Sequence, residues 1–477
     1  MNKLLKYNCI ASCLAIILLL TSCSKKLNIL PTDQIDGSVA LSNLTNVNLA
    51  VLGIYATWKN EYVDRIGSVL ADECRIGLKN SGIGLTDAAQ NLFRWSYTSS
   101  DQEVLDVWSN SYQVIFQIND ILAAIDNIPT TSSSDVQQKK SLKGELLGLR
   151  AFLHFELFRT YGYSGVYSTS ALAVPYVTGT NIYAKPSRPA TNDFFQSLNT
   201  DLAGADSLLT TNSAVNRFGL TALQALHARI ALYTDDWNTA IQMSTKVINA
   251  VPLASAANFP NIWTDQNTSE VILELSRTNQ STVRPGDMWY NIPYGVYLFA
   301  PSKTLMNLYD TTNDVRYHSY FTIDSTQIAQ GQLPDIIAKY QGTSGAQNLN
   351  NLKVFRTGEM YLIRAEAYVN TGDLADANTD LNTLRTQRIS GYNNVTYNNL
   401  SDLQAAIATE RYKELCFEGH RYFDIKRRGQ NIVRQSIDLP SGSVNTTLTP
   451  SSMYYYMPIP QSEVLSNPNI LPNNKGW

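Results

Sequence analysis

The sequence predicts an all-α, mainly helical protein in which stacked helical hairpins form a scaffold for an irregular, loop-rich face. Three observations support this fold class. Apolar residues recur at helical spacing over several long segments. Two segments repeat a pattern of helix, tight turn and helix. The stretch 252–350, in contrast, has few helical patterns and several Pro and Gly residues.

Three long segments carry the helical periodicity. Near 42–59, apolar residues recur every three or four positions from Leu44 to Trp58, and near 103–127 they do so from Val104 to Leu122. The stretch 141–161 is apolar nearly all round. We therefore expect it to form a central, buried helix that ends at Gly162.

Two further segments have the pattern of tetratricopeptide-like helical hairpins. Residues 228–240 surround the turn Asp235-Asp236, and residues 365–377 surround the turn Gly372-Asp373. Small residues at regular spacing would let neighbouring helices approach closely, and in the first segment they are Ala222, Ala225, Ala228 and Ala231. The sequence thus predicts hairpins that stack on each other.

The start of the chain has the pattern of a bacterial lipoprotein signal. Lys3 and Lys6 precede an apolar run from Cys9 to Leu20, and the run ends in Leu20-Thr21-Ser22-Cys23. This run is shorter than the roughly 20 residues that cross a bilayer as a helix. We expect residues 1–22 to be removed and Cys23 to be acylated, which would make the lipid the membrane anchor. The alternative is an ordinary secretory signal in which Cys23 is incidental.

The sequence pattern predicts the domain organisation of the mature protein, and its composition indicates the class of ligand. We expect residues 23–40 to form a tether and 41–477 a single domain, with helical parts at about 41–250 and 351–477 and a loop-rich insertion at about 252–350. The formal charge of −3, the pI of 5.9 and the lack of a basic stripe argue against nucleic acid as a partner. Charged residues make up only 16% of the chain, which suits neutral, hydroxyl-rich ligands.

Cys74 and Cys416 are expected to be two buried thiols, although sequence alone leaves their pairing open.

The densest charged run, Glu410 to Gly429, has two interpretations. Glu410, Glu414 and Glu418 recur every four residues, and arginines follow shortly after them. The carboxylates could be a general acid/base pair, or they could form structural ion pairs with those arginines. We favour the structural interpretation, because every acid has a guanidinium close by in the sequence.

Catalytic, cofactor and metal signals are poor. The four histidines, His154, His227, His318 and His420, lack metal-ligand spacing. No nucleophile elbow, phosphate loop, dinucleotide fingerprint or EF-hand loop occurs in the sequence. We expect no enzyme activity, no cofactor and no metal, although two carboxylates from distant segments could converge as in a glycoside hydrolase.

The charged run and the end of the chain together resemble the SusD/RagB family of Bacteroidetes outer-membrane lipoproteins. The family typically carries an E-x-x-x-E-x-x-x-E-G-x-R-x-x-D-x-x-R motif, matched here from Glu410 to Arg427, and a P-I-P-x-x-E and N-P-N close, matched from Pro458 to Asn469. The resemblance implies a tetratricopeptide-type scaffold and a role as the lid of a SusC-like TonB-dependent transporter that imports oligosaccharides. It also implies display on the outer membrane, but Lys25 and Lys26 follow the lipid cysteine where acidic residues often favour export, which leaves open whether the protein faces the exterior or the periplasm.

Two loop-rich, aromatic segments, 72–97 and the cluster after residue 288, suggest one recognition surface, and the family resemblance implies ligand contacts from the first of them. Sugar rings bind flat aromatic faces framed by polar groups. The aromatic candidates are Trp95, Trp289, Tyr290 and Tyr294, and the polar candidates are Asp72, Glu73, Arg75 and Asn80. For each of these residues the alternative is packing within the core or a loop. Trp58, Trp108 and Trp237 lie on helical apolar faces and are expected in the core. A peptide or another nutrient is the alternative ligand.

Overall fold

The computed structural model describes residues 41–80, 89–440 and 445–477. The predicted signal 1–22, Cys23, the tether up to residue 40 and Ser81 to Gly84 lie outside the described residues. Within the described ranges, no helix combines the length and the apolar character needed to cross a membrane.

Helices dominate the structure, which confirms the predicted fold class. In chain order they are α1 (Leu44–Thr57), α2 (Glu61–Val69), α3 (Gln90–Phe93), α4 (Gln102–Ile125), α5 (Ser133–Leu157), α6 (Thr191–Leu208), α7 (Leu220–Tyr233), α8 (Trp237–Ala250), α9 (Phe259–Ile262), α10 (Lys303–Met306), α11 (Val315–Tyr320), α12 (Thr326–Ala329), α13 (Thr357–Thr371), α14 (Leu374–Thr386), α15 (Leu400–Glu414), α16 (Arg421–Arg427) and α17 (Gln461–Ser466).

The long helices match the periodicity, with one difference at a boundary. Helix α5 begins at Ser133, whereas the sequence predicted a start near 141. Its first turns are exposed and polar, so the apolar pattern does not show them. A capping box begins the helix instead: the Ser132 hydroxyl accepts a hydrogen bond from the Asp135 N–H at 3.1 Å. The helix ends in a π turn at Phe158–Gly162.

The two predicted hairpins form and stack on each other. Helices α7 and α8 pair around Asp235-Asp236, and α13 and α14 pair around Gly372-Asp373. Helix α8 packs directly on α13, although more than a hundred residues separate the two hairpins in the chain. The small residues of α7 are all buried at the contacts, namely Ala222, Ala225, Ala228 and Ala231. This is the close stacking of a tetratricopeptide-like scaffold.

The insertion between the hairpins contains most of the strands. They are β1 (Cys74–Ile76), β2 (Val271–Leu275), β3 (Tyr290–Asn291), β4 (Val296–Tyr297), β5 (Phe299–Pro301), β6 (Phe321–Ile323), β7 (Asp335–Ile337), β8 (Gly342–Thr343), β9 (Ala346–Gln347), β10 (Leu352–Arg356), β11 (Ile432–Val433) and β12 (Thr447–Leu448). The antiparallel pairs are β1–β5, β2–β10, β3–β4, β6–β7, β8–β9 and β11–β12. Strands β2 and β10 are buried throughout, and β10 leads directly into α13, so this pair attaches the insertion to the helical scaffold.

A buried cluster of ions holds these parts together. The Glu414 carboxylate, at the end of α15, contacts the guanidinium groups of Arg316, Arg356 and Arg388, each at 3.0 Å. All four side chains are at most 1% exposed. Because Arg316 lies in α11, Arg356 ends β10 and Arg388 follows α14, a single carboxylate joins three separate segments to α15.

Further acids complete this cluster, which we call the Glu414 cluster. Glu270 contacts Arg356 at 2.6 Å and Arg388 at 2.7 Å, and Glu418 contacts Arg356 at 2.6 Å and Lys339 at 2.7 Å. Glu410 contacts Arg316 and Arg385. Burial alone would raise the pKa of Glu410, but Arg316, Lys413 and Arg385 outweigh it and lower that pKa to about 2.

The structural interpretation of the charged run is therefore confirmed, but with different partners. The sequence suggested nearby arginines, whereas the guanidiniums on Glu414 come from distant segments. The three glutamates also do not share one helix, because α15 ends at Glu414. The chain then turns through Phe417 and Gly419, whose φ angles are +63° and +73°. A Cβ at Gly419 would lie 2.6 Å from the Asp64 Cα, so glycine is required at this contact.

We predict that Glu414→Gln lowers the free energy of unfolding by about 3–5 kcal/mol, because it leaves three buried guanidiniums without their common carboxylate. Urea denaturation measures this. The control is Lys143→Gln, which removes an exposed pair with Asp126 whose side chains are 33% and 60% exposed. That change should cost less than about 1 kcal/mol. Equal losses in the two variants would contradict the central role of Glu414.

Candidate functional site

The structure brings the early loop and the aromatic cluster together. Strand β1 pairs with β5, and β3 and β4 form a hairpin in which Tyr290 lies opposite Tyr297. The carbonyl of Leu298, between β4 and β5, accepts hydrogen bonds from the Gly77 N–H and from the Asn80 side chain, both at 2.8 Å. The two segments that the sequence singled out thus form one continuous region.

The polar candidates of the early loop are engaged within the protein. Both oxygens of Asp72 accept hydrogen bonds from the Arg421 guanidinium, at 2.7 and 2.8 Å. Arg75 pairs with Asp335, and Asn80 is completely buried. These contacts fix the loop to its surroundings. Ligand contact by Asp72, Arg75 and Asn80 stays a prediction, and it would require these residues to give up partners that they hold here.

Glu73 is buried and carries a strongly shifted pKa. Burial raises the pKa to about 8, although the hydrogen bond from the Phe417 N–H favours the charged form. The Phe417 nitrogen lies 3.1 Å from Oε2. The Glu73 side chain is therefore mainly protonated at neutral pH, inside the protein and away from any external ligand. Its assignment to the ligand-binding set is not tested by a bound molecule and stays a prediction.

The two tryptophan candidates lie in the core. Trp95 is 5% exposed, donates from Nε1 to the Leu70 carbonyl at 3.0 Å, and has the Arg434 guanidinium 4.2 Å from its ring centroid. Trp289 is 2% exposed and packs edge-on against Phe417, with ring centroids 5.2 Å apart. Neither ring offers a free face for stacking in this structure. The packing alternative that the sequence left open describes both of them.

The tyrosine candidates lie at the surface on the β3–β4 hairpin, which we call the tyrosine hairpin (residues 290–297). Tyr294 is 59% exposed at its tip, beside Gly295 with a φ of +62°. Tyr290 and Tyr297 are half-buried, and their ring centroids lie 4.6 Å apart. Tyr297 was not among the candidates that the sequence suggested. A hairpin assignment from Pro293 and Gly295 would have placed it opposite Tyr290.

Neutral amides surround these tyrosines. Gln341, Gln347 and Asn348 line a crevice beside Tyr290 and Tyr297, and the crevice has a volume of about 10 Å³. Ligand pockets usually measure roughly 300–1,000 Å³, so a sugar ring could not enter it. Any ligand here would lie on the outer surface of the hairpin, with the tyrosine rings as the aromatic contact.

The remaining sequence expectations concern thiols, histidines and metals. Cys74 and Cys416 are free and buried, as expected. Burial raises the pKa of Cys416 to about 12 and lowers that of His154 to about 3, so the thiol and the imidazole are both neutral at physiological pH. In the parts of the chain that the structure describes, no group of three or more His, Cys, Asp or Glu residues is placed to hold a metal ion.

The fold and the site define a class of protein, a stacked-hairpin scaffold that carries a loop-rich aromatic face. Residues 276–477 match a family model described as the SusD family, and residues 79–232 match one described as starch-binding associating with outer membrane. The chain belongs to the SusD/RagB family, as the sequence motifs indicated.

Curated relatives and solved structures agree with this assignment. SusD-like protein P38 of Formosa agariphila is 22% identical over 377 residues, which cover 68% of this chain and 72% of the relative. A SusD superfamily protein from Bacteroides thetaiotaomicron has a TM-score of 0.78 at 25% identity, covering 90% of this chain and 99% of the other. A putative sugar binding protein from Bacteroides vulgatus has a TM-score of 0.77 at 25% identity, covering 92% and 99%.

One further structure shares the fold and was solved with a ligand. Surface glycan-binding protein A from Bacteroides thetaiotaomicron, in complex with laminarihexaose, has a TM-score of 0.70 at 17% identity, covering 90% of this chain and 99% of the other. At this identity the likeness concerns the fold.

We predict that Glu73→Gln stabilises the protein by an amount that grows as the pH rises from about 4.5 to about 8. The folded pKa of about 8 lies above the usual 4.5, so the stability from the protonated carboxyl is complete below pH 4.5 and is lost as the pH rises to 8. Glutamine resembles the protonated form at every pH. The gain, measured by urea denaturation, should be near zero at about pH 4 and on the order of a few kcal/mol at about pH 9, since each pKa unit corresponds to about 1.4 kcal/mol.

Glu418→Gln is the matched control and should behave in the opposite way. Burial opposes ionisation of Glu418, but Arg356 and Lys339 outweigh it and lower its pKa. Its contribution is therefore present above pH 4.5 and lost in acid, so this variant should be destabilised at neutral pH. A gain from Glu73→Gln that does not vary with pH would contradict a buried, protonated Glu73.

Proposed function

We propose that this protein captures oligosaccharides at the outer membrane and delivers them to a SusC-like TonB-dependent transporter. Membership of the SusD/RagB family supports this, as does the family model described as starch-binding associating with outer membrane. Structures that share its fold include one described as a putative sugar binding protein and one bound to laminarihexaose. The predicted lipid at Cys23 and the tether up to residue 40 would hold the protein beside the transporter.

The tyrosine hairpin is the observation that carries the proposal. Stacking on sugar C–H faces needs aromatic rings at the surface, and Tyr294 is 59% exposed while Tyr290 and Tyr297 are half-buried. The exposed amide groups of Gln341 and Gln347 lie next to them and can both donate to and accept from hydroxyls, whereas Asn348 is 1% exposed and donates to Asp287 and to the Tyr290 carbonyl. An open, neutral surface of this kind suits a chain of sugars that lies along it.

The Glu414 cluster supports a binding protein over a hydrolase. An acid/base pair needs carboxylates that reach the substrate. Glu410, Glu414 and Glu418 are at most 7% exposed, and each is paired with buried cations. These carboxylates therefore stabilise the scaffold, and we propose that the protein does not cleave its ligand. A lid for peptides or another nutrient remains the alternative within the same family.

We predict that Tyr290→Ala and Tyr294→Ala weaken oligosaccharide binding by about 1–3 kcal/mol each, as expected for aromatic contacts in a binding site. Titration calorimetry against a panel of plant, host and microbial oligosaccharides measures this. Tyr183→Ala is the matched control, because Tyr183 is 84% exposed and lies outside the tyrosine hairpin. Unchanged affinity in both hairpin variants would move the site away from the hairpin.

The same panel separates the alternatives. Binding of proteolytic peptides with no response to any glycan would favour a peptide lid. Release of reducing sugars during long incubation would show a hydrolase.

Labelling of whole cells with a membrane-impermeant reagent tests outward display, and exclusion of the label would place the protein in the periplasm.

A further inference from the structure

A large groove lies beside the turn of the first hairpin. Its lining residues come from that turn and the first residue of α8, from α13, from α15, and from the end of α16 and the residues just after it. None belongs to the tyrosine hairpin or to the early loop. Its volume is about 730 Å³, within the range of roughly 300–1,000 Å³ that is usual for ligand pockets. We call it the Trp237 groove, and the residues that matter are Asp235, Trp237, Glu366, Gln404, Arg428 and Gln430.

Trp237 differs from the sequence expectation, which placed it in the core with Trp58 and Trp108. Those two are 2% and 4% exposed, whereas Trp237 is half-buried and lines the groove. Trp477 is also half-buried, but its indole donates to the carbonyls of Met453 and Tyr456. None of the described residues accepts a hydrogen bond from the Trp237 indole. Its ring packs partly against the core, and the N–H and the part of the ring that lines the groove are available to a ligand.

The second hairpin shows what the scaffold needs at this turn. Asp235 and Gly372 occupy the same left-handed position, with φ angles of +56° and +87°. The next residues, Asp236 and Asp373, both cap the following helix through a backbone N–H three residues on. The helices then begin with Trp237 in one hairpin and Leu374 in the other. Glycine and leucine satisfy the fold in the second hairpin, so Asp235 and Trp237 are not required by the turn itself.

The polar groups of the groove are balanced in charge and mixed in hydrogen-bonding character. Arg427 is held by Glu366 at 2.7 Å and by Asp424 at 2.9 Å. Arg428 donates to Glu366 through Nη2 alone, at 2.8 Å, and its other N–H groups find no acceptor among the described residues. The two lining acids, Asp235 and Glu366, equal the two lining arginines in number. A groove with donors, acceptors, an aromatic face and no net charge fits a neutral polyhydroxyl ligand better than an ion.

We propose that the Trp237 groove is a second binding site for neutral oligosaccharides, in which the Trp237 ring stacks on a sugar and Asp235 and Arg428 bind its hydroxyl groups. The ligand class rests on the proposed function, whereas the site rests on different residues from those of the tyrosine hairpin. The protein would then hold two glycan chains at once, one at each surface.

The test copies the second hairpin into the first. Trp237→Leu and Asp235→Gly introduce the residues that the scaffold already uses at 374 and 372, and glycine suits the positive φ of residue 235. Both variants should therefore fold. The melting temperature of Asp235→Gly should equal or exceed that of the wild type. The probes are laminarihexaose, maltohexaose and, as a charged comparison, a hexagalacturonate.

Calorimetry should show two sites in the wild type and one in Trp237→Leu. Asp235→Gly should lower the affinity of the groove for neutral sugars at least tenfold. Neutral sugars should also change the tryptophan fluorescence of the wild type and of Tyr294→Ala, but not that of Trp237→Leu. Unchanged stoichiometry and fluorescence in Trp237→Leu would overturn the second site and leave the proposed function intact. A groove that binds only hexagalacturonate would overturn the neutral ligand, and a wild type that binds no sugar would overturn both proposals.

Discussion

The attraction between one buried carboxylate and three buried guanidiniums is the constraint on which the rest of the structure depends. Glu414 lies where the insertion, β10 and the second hairpin meet α15, and Arg316, Arg356 and Arg388 bring one cation from each. Buried ions are costly unless their partners are close and their hydrogen bonds complete. Glu270, Glu410 and Glu418 supply further partners to these cations, so the cluster joins the segments through paired charges.

The binding surfaces follow from that arrangement. The early loop is fixed by the pairing of Asp72 with Arg421 and of Arg75 with Asp335, and it supports the strands that lead to the tyrosine hairpin. Loops on a rigid scaffold commonly carry recognition. Here the scaffold uses the charged side chains of the loop for its own attachment, and it leaves surface tyrosines and neutral amides for a ligand. This division agrees with the low charge of the chain and with a family of nutrient-binding lipoproteins.

The helical hairpins add a second kind of surface. The Trp237 groove lies beside the turn of the first hairpin, against α13, α15 and the end of α16. What it binds depends on the few lining residues that the stacking does not require. The two hairpins of this chain use the same cap and the same left-handed turn position. The residues in which they differ, Asp235 and Trp237 in the first hairpin, are therefore not required by the fold. We therefore propose that the helical scaffold provides a second ligand-binding surface, the Trp237 groove, in addition to the loop-rich face.

The sequence by itself determined the long helices, the hairpin turns and the family motifs, because these depend on local periodicity, turn chemistry and short spacings. Only the tertiary structure decided which arginines meet Glu414, that Trp95 and Trp289 are buried, and that Trp237 faces a groove. An aromatic residue has the same local pattern on a core face and at a binding surface. Whether the aromatic residue is buried or exposed depends on its contacts with segments far away in the chain. These contacts cannot be predicted from the spacing of residues along one segment.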